Sequence, residues 1–302
     1  MIKFPPQKLL VAADTSEPSL AALQSAKFLA RRLDAALDVV YVHEVLTDAY
    51  VLSSDYGLTT VPNISAQVED FRKWREEKLR KLIGTMAAGR LKVRSVIGPP
   101  APVLSDLAKR GAADMIVTGT HGYAGMDRVF FGSVAEAVLR KSDVPVLTVH
   151  QGKNLSKLSR ILVPYNMTHY AGRALVYALS LARAVNARLD VLYVALPGER
   201  REGASAALGR SLEALLGQKA GGILRAEVLQ GNPRRVILER AETGSYDLVV
   251  LSAHRTRLLT DIVLGSTVER VLRHCTVPVL GIPSFEPVPR KASAARTDGR
   301  IY

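Results

Sequence analysis

Cysteine, aromatic residues and long apolar stretches are all scarce in this 302-residue chain. The single cysteine, Cys275, can form neither an intramolecular disulfide nor a cysteine-rich metal site, which favours a reducing, cytoplasmic compartment. Apolar runs such as 191–196 are too short to span a bilayer, and the first residues show no secretory-signal pattern. With 48 % hydrophobic and 23 % charged residues, the composition excludes disorder of the whole chain and predicts a globular protein of about two domains.

Most of the net charge of +13 belongs to the second half of the chain. Residues 1–152 contain 19 basic and 16 acidic side chains, a net +3, whereas residues 153–302 contain 22 and 12, a net +10. The surplus is scattered rather than concentrated in one block, which argues against nucleic-acid binding. An anionic small molecule, an acidic partner and an anionic lipid surface remain open as targets of that charge.

Two parts of the sequence occur twice. The segment 143–149 (DVPVLTV) returns as 276–282 (TVPVLGI), an offset of 133 residues. Nearer the N-terminus the offset is 152, since 40–42 (VYV) matches 192–194 (LYV). Constant offsets of this kind indicate an internal duplication with one change of length between the matched parts.

Two copies of one domain explain both offsets. We expect the first copy over residues 1–152 and the second over residues 153–284, with the longer connection of the first copy within 43–97. Residues 285–302 combine proline, small residues and mixed charges, and are predicted to form a flexible tail.

Each copy alternates short apolar runs with amphipathic helical segments. In the first copy, Leu9–Ala13 is typical of a strand buried on both faces, and apolar residues between 20 and 33 recur at helical spacing. Alternation of strands and helices predicts right-handed crossovers and a parallel sheet covered on both faces. The expected fold class is α/β, with two tandem doubly wound domains.

The loop after the fourth strand of the first copy is the candidate ligand site, because doubly wound sheets bind ligands beyond the carboxyl ends of their strands. It reads Gly119-Thr120-His121-Gly122, then nine residues, then Gly132-Ser133 at the start of a helix. Glycines let N–H groups approach an anion closely, and a helix N-terminus adds partial positive charge. We therefore predict a phosphate-binding loop; the alternative is two ordinary turns that contain glycine.

The pattern G-x2-G-x9-G-[S/T], the Pro-Val-Leu final strand and the aspartate after the first strand resemble the nucleotide-binding branch of the universal stress protein family. The resemblance covers about residues 7–150 and 158–284. It implies two five-stranded parallel sheets of order 3-2-1-4-5 and binding of ATP, usually with Mg²⁺, with little or no turnover. It also implies that strands 146–149 and 279–282 pair, so that the chain is an internal pseudo-dimer able to form a homodimer.

Carried over position by position, the resemblance implies a nucleotide site in the first copy. Asp14 would face the nucleoside, and the backbone of Val42 would meet adenine. The ribose and phosphates would contact Thr118, Gly119, Gly122, Gly132, Ser133 and Val134.

The second copy departs from this pattern. Asn166 replaces the aspartate, Ser252 the first glycine and Arg255 the second, although Gly265-Ser266 remains. The alternative to loss of binding is that Arg255 and Arg257 hold an anion by charge. We expect a degenerate site, with the positions Asn166, Val194, Ser252, Arg255, Gly265, Ser266 and Thr267.

The function predicted from these observations is an ATP-binding stress-response protein whose bound nucleotide regulates contacts with an unknown protein partner. Catalysis is left open, because His121 could act as a base in slow ATP hydrolysis or nucleotidyl transfer, yet no catalytic residue or metal-ligand set follows from the spacing. A third possibility is a module that needs no nucleotide and binds an acidic partner or anionic lipid through its basic second half.

Overall fold

The computed structural model describes residues 2–14, 16–43, 64–83, 90–120, 132–150, 152–217, 221–258 and 261–285. Strands and helices alternate through the described part of the first half: β1 (Lys8–Ala12), α1 (Glu17–Leu33), β2 (Ala36–His43), α2 (Ile64–Ile83), β3 (Leu91–Ile97), α3 (Pro100–Leu107), β4 (Met115–Gly119), α4 (Ser133–Lys141) and β5 (Val146–Val149). A π-helical turn, Ala108–Ala112, follows α3 and ends where Gly111 adopts a positive φ of 73°.

The second half repeats this order and contains a further strand, β10, whose counterpart positions 128–131 lie outside the described residues. Its elements are β6 (Arg160–Pro164), α5 (His169–Val185), β7 (Arg188–Ala195), α6 (Arg201–Leu216), β8 (Leu224–Gln230), α7 (Pro233–Thr243), β9 (Leu248–Leu258), β10 (Asp261–Leu264), α8 (Ser266–His274) and β11 (Val279–Phe285). In the described parts of the chain, the helices are all too short or too polar to cross a membrane.

The strand order confirms the predicted doubly wound architecture. The first half has the order β3-β2-β1-β4-β5, and the second has β8-β7-β6-β9-β11. Strands are parallel within each of these two sets, and β10 pairs antiparallel with β9. Strand β11 extends to Phe285, so the first residue of the segment predicted as a flexible tail belongs to the sheet. Residues 286–302 lie outside the described residues.

Local sequence explains how the first strand and helix form. Leu9, Leu10 and Val11 are fully buried, because helices cover both faces of a parallel sheet. Helix α1 begins after Ser16 with a proline in its first turn, where the missing N–H costs nothing. It ends where Asp34 takes a left-handed conformation, with a φ of 54°.

One continuous sheet joins the two halves, because β5 and β11 pair in antiparallel fashion. The register places Leu147 opposite Leu280 and Thr148 opposite Val279, and the Thr148 hydroxyl donates to the Val279 carbonyl oxygen at 3.1 Å. Leu147 and Leu280 are equivalent positions of the two copies, so a pseudo-two-fold axis passes through this pair. The predicted pairing of the final strands is thereby confirmed.

Each face of this sheet carries an apolar core that crosses from one half to the other. One core lies under α1, α2, α5 and α6 and includes Leu147 and Leu280. The other lies under α3, α4, α7 and α8 and includes Leu139 and Val279. The two domains therefore share their hydrophobic interior at the β5–β11 junction.

Replacing Leu147 with alanine removes a side chain that is 1 % exposed at the centre of this junction. We expect the free energy of unfolding, measured by urea denaturation, to fall by about 2–5 kcal/mol because a cavity is left in a packed core. The same substitution at Leu196, which is 55 % exposed, should change it by less than about 0.5 kcal/mol. Equal losses in the two variants would contradict a stabilising junction.

Candidate functional site

The candidate site lies at the carboxyl edge of the sheet in the first half, where β1 and β4 are neighbours. Val11 pairs with Val117, so the chain leaves both strands at adjacent points. Asp14 follows β1, and Gly119 is the last residue of β4. Gly122 and the other residues of 121–131, including His121, lie outside the described residues.

Asp14 fixes the turn between β1 and α1. Its carboxylate accepts hydrogen bonds from the backbone N–H of Ser16 at 3.0 Å and from the Ser16 hydroxyl. The backbone N–H of Asp14 donates to the Ser19 hydroxyl at 2.9 Å. This Asx turn holds a half-buried carboxylate at the end of β1, at the position predicted to face a nucleoside.

Gly119 has a structural reason to be glycine that the sequence alone does not reveal. A Cβ at this position would lie 2.7 Å from both the carbonyl carbon and the carbonyl oxygen of Pro18 in α1. Any side chain would therefore force β4 and α1 apart. This packing contact does not test the predicted contact of Gly119 with ribose and phosphates, which stays a prediction.

Thr118 and Val42 both lie within strands. Thr118 is 4 % exposed, and its hydroxyl donates to the Gly119 carbonyl oxygen at 3.1 Å. Val42 is half-buried in β2 opposite Val96 of β3, one residue before the strand ends at His43. Their contacts with a nucleotide remain predictions.

The start of α4 has the features that a phosphate group requires. Gly132 is the N-cap residue, with φ −56° and ψ 135°, and it offers no side chain to the helix. The N–H groups of residues 133–135 have no acceptor within the helix, and no described side chain caps them. Ser133 is exposed, Val134 half-buried and Ala135 buried, and the positive end of the helix dipole lies at this turn.

In the second half, the loop that corresponds to the candidate site forms a β-hairpin. Strand β9 continues past Ser252 to Leu258 and turns back into β10. The Ser252 hydroxyl donates to the Ser284 hydroxyl at 3.1 Å, and the backbone of Arg255 pairs with Leu264 and Phe285. Side chains from 255 to 263 are outside the described part of the chain. Sequence reasoning missed this hairpin, although the apolar and β-branched residues on both sides of 259–260 are a signal for it.

The other predicted site positions of the second copy have local backbone structure similar to that of their counterparts in the first copy. Asn166 accepts a hydrogen bond from the Thr168 hydroxyl at 2.7 Å, so it orders the turn into α5 as Asp14 does for α1, but without charge. Val194 is half-buried in β7. Gly265 caps α8 with φ −59° and ψ 141°, close to the geometry of Gly132, and is followed by an exposed Ser266 and a half-buried Thr267.

The cysteine does not form a reactive centre. Cys275 is fully buried, and burial raises the pKa of its thiol to about 12. Burial, with Arg270 and Arg273 nearby, lowers the pKa of the adjacent His274. A protonated thiol in an apolar setting is a poor nucleophile. Among the described residues, no group of three or more histidine, cysteine or acidic side chains is arranged to hold a metal ion.

Substitution of Gly119 by alanine tests the contact between β4 and α1. The new methyl group meets main-chain atoms of Pro18, so we expect the free energy of unfolding to fall by about 1–3 kcal/mol. Gly209, exposed in α6 with open space around its Cβ position, is the matched control. There the same change should stabilise by about 0.5–1 kcal/mol. Thermal unfolding of both variants measures the contrast, and a neutral effect at Gly119 would refute the close contact.

Comparison with known proteins agrees with this geometry. The model of the universal stress protein family matches residues 6–150 and again residues 157–283. Universal stress protein Slr1230 of Synechocystis is 25 % identical over 290 residues, which cover 91 % of this chain and 99 % of the relative. Stress response protein NhaX of Bacillus subtilis is 31 % identical over 166 residues, 48 % of this chain and 99 % of the relative.

A solved structure shows the same fold over both halves. The crystal structure of a universal stress protein from Archaeoglobus fulgidus has a TM-score of 0.69 and 23 % identity, covering 93 % of this chain and 99 % of that one. The family match, repeated along the chain, coincides with the two halves of the sheet. The chain therefore belongs to the universal stress protein family, a family of stress-response proteins, and consists of two of its domains in tandem.

Proposed function

We propose that the first half binds one ATP molecule, and that the bound nucleotide regulates the contacts of the protein with a partner protein. The observation that carries this proposal is the exposed start of α4, whose first-turn amides have no capping side chain among the described residues. These amides lie beyond β4, at the edge of the sheet where doubly wound folds bind their ligands.

The chemistry of the α4 start suits a polyphosphate. Amide N–H groups at a helix N-terminus donate to phosphate oxygens, and the helix dipole favours their negative charge. The Ser133 hydroxyl adds another donor at the same exposed turn. Mg²⁺, as an expected companion of ATP, would take most of its ligands from phosphate oxygens and water, because it keeps several waters when it binds.

The two halves differ in a way that supports a single nucleotide per chain. In the second half, the chain between Ser252 and Ser266 forms a hairpin of β9 and β10, and Ser252 and Arg255 replace the two glycines of the first half. In addition, the neutral Asn166 stands where the first half has Asp14. A second anion held by Arg255 and Arg257 is the alternative, and binding stoichiometry distinguishes the two.

Regulation rather than turnover is the role that we propose. The buried, protonated Cys275 is a poor nucleophile, and the alternative is slow hydrolysis or nucleotidyl transfer in which His121, outside the described residues, acts as a base. We place the protein in the cytoplasm on the evidence of this free thiol. A homodimer would have to use a surface other than β5 and β11, which already pair with each other.

Binding through the basic second half alone is less well supported. Several of its arginines are held by acidic side chains of the protein: Arg160 by Asp190 at 2.6 Å, and Arg240 by Glu227 at 2.7 Å. These cations stabilise the fold and are less available to an acidic partner or a lipid surface.

Equilibrium dialysis with ATP and Mg²⁺ tests the proposal through a pair of matched variants. Ser133→Glu places a carboxylate where we expect phosphate, and should weaken ATP binding by about tenfold or more through charge repulsion. Ser266→Glu adds the same charge to the equivalent exposed turn of α8 and should leave binding unchanged. Both helices tolerate the change, because an acidic residue in a first turn is stabilising.

Three outcomes would count against the proposal. No binding to the unmodified protein would reject it, and two bound nucleotides per chain would reject the asymmetry between the halves. Equal weakening by both substitutions would show that the phosphates do not sit at the start of α4.

A further inference from the structure

A second candidate site is a cavity of about 520 Å³ in the second half, between α5, α6 and the N-terminal segment of the chain. Its volume lies within the range of roughly 300–1,000 Å³ that is usual for small-molecule sites. Its apolar wall consists mainly of Phe4, Val176 and Leu215. None of the residues assigned to the nucleotide in the first half lines this cavity.

Tyr177 indicates that the cavity accommodates a polar group. Its side chain is 5 % exposed and lines the cavity, yet its buried hydroxyl has no hydrogen-bond partner among the described residues. Phe4 packs edge-on against the ring at 5.2 Å and so holds it in place. Burial raises the pKa of Tyr177, which keeps the hydroxyl protonated and able to donate. A buried donor of this kind is costly unless something accepts from it.

The charged side chain that lines the cavity is basic, and Asp114 of the first half, which does not line it, is close enough to raise the pKa of Tyr177 further. Arg173, half-buried one helical turn before Tyr177, lines the cavity and makes no ion pair with a described residue. Residues four apart on a helix share a face, so Arg173 and Tyr177 lie on the same side of α5, and both line the cavity. His169 also lines the cavity, and no acidic side chain is among the lining residues.

The other hydroxyl groups that line the cavity already form hydrogen bonds within the protein. The Tyr165 hydroxyl is 2.7 Å from that of Ser211, and the two form a hydrogen bond across the cavity wall. Ser180 is half-buried and donates to the backbone carbonyl of Val176 at 3.0 Å. The strongest unused polar groups are therefore the Tyr177 hydroxyl and the Arg173 guanidinium.

We propose that this cavity binds a small amphipathic acid, an aliphatic carboxylate of medium chain length. Its carboxylate accepts a hydrogen bond from Tyr177 and pairs with Arg173. Its hydrocarbon body packs against Phe4, Val176 and Leu215, which replaces their contact with water.

Calorimetric titration with sodium decanoate, below its micelle concentration, tests this proposal on the full-length protein. We expect saturable binding at one site, much weaker binding of butyrate, which lacks the apolar body, and much weaker binding of decanol, which lacks the charge. Val176→Trp should abolish binding, because the exposed Val176 lines the cavity and the indole fills it. Ala206→Trp, at an exposed position of α6 that does not line the cavity, should bind as the unmodified protein does.

Tyr177→Phe distinguishes a ligand-binding hydroxyl from a purely structural one. It should weaken decanoate binding by about two- to tenfold, as expected for the loss of one hydrogen bond. Without decanoate, its melting temperature should equal or exceed that of the unmodified protein, because no described partner loses a hydrogen bond. Arg173→Gln should weaken decanoate binding and leave decanol binding unchanged, which provides a second variant if Val176→Trp does not fold.

Several results would overturn the proposal. One is the absence of saturable decanoate binding by the unmodified protein, and another is undiminished binding by a folded Val176→Trp variant. Decanol binding as tightly as decanoate would reject the acidic head group, as would full decanoate affinity in the Arg173→Gln variant.

Discussion

The antiparallel contact between β5 and β11 is the interaction on which the rest of the structure depends. It places Leu147 against its own equivalent, Leu280, and so turns a duplicated sequence into one continuous sheet. Both apolar cores cross this contact, and neither half buries its interior alone. A parallel sheet must be covered on both faces, and here the helices of both halves cooperate in covering it.

The pseudo-symmetry extends to the segments that precede the first strand of each half. Phe4 of the first half packs on Tyr177 in α5 of the second. In return, the backbone N–H of Leu155, which precedes β6, donates to the buried Ser25 hydroxyl in α1 at 2.8 Å. Ser25 and Tyr177 are equivalent positions, so the segment before the first strand of each half contacts the first helix of the other half. The cavity beside Tyr177 is a consequence of this exchange.

The two copies have diverged where ligands would bind while keeping the same frame. Gly132 and Gly265 begin their helices with nearly identical backbone angles, and Asn166, Ser252 and Arg255 replace the aspartate and the two glycines of the first copy. The chain before Gly265 forms a hairpin. That hairpin packs against α4 of the first half. Arg273 of α8 also contacts Glu136 of α4 at 3.2 Å. The second half is therefore in contact with the helix that the proposed function assigns to phosphate.

Much of the fold could be predicted from the sequence, because the constant offsets reveal the duplication and the spacing of apolar residues reveals the helices. The strand order and the pairing of the final strands both followed from the family resemblance, and the duplication followed from the matched segments 143–149 and 276–282. The contact of Gly119 with Pro18 could not be predicted, since it depends on how closely β4 and α1 pack. The cavity could not be predicted either, because one of its walls is formed by residues 2–4, which pack against the second half of the chain. Asp14 follows β1 and Ser133 begins α4, as the sequence predicts, whereas their contacts with a nucleotide and the place of Gly122 stay predictions.

The central functional claim is that the first turn of α4, and not that of α8, receives the phosphates. The most direct measurement is nuclear magnetic resonance of backbone amides during an ATP titration with Mg²⁺ present. We expect large, saturating shifts for the amides of residues 133–135 and none for those of residues 266–268. Unchanged resonances at 133–135, or equal shifts at both helix starts, would contradict it.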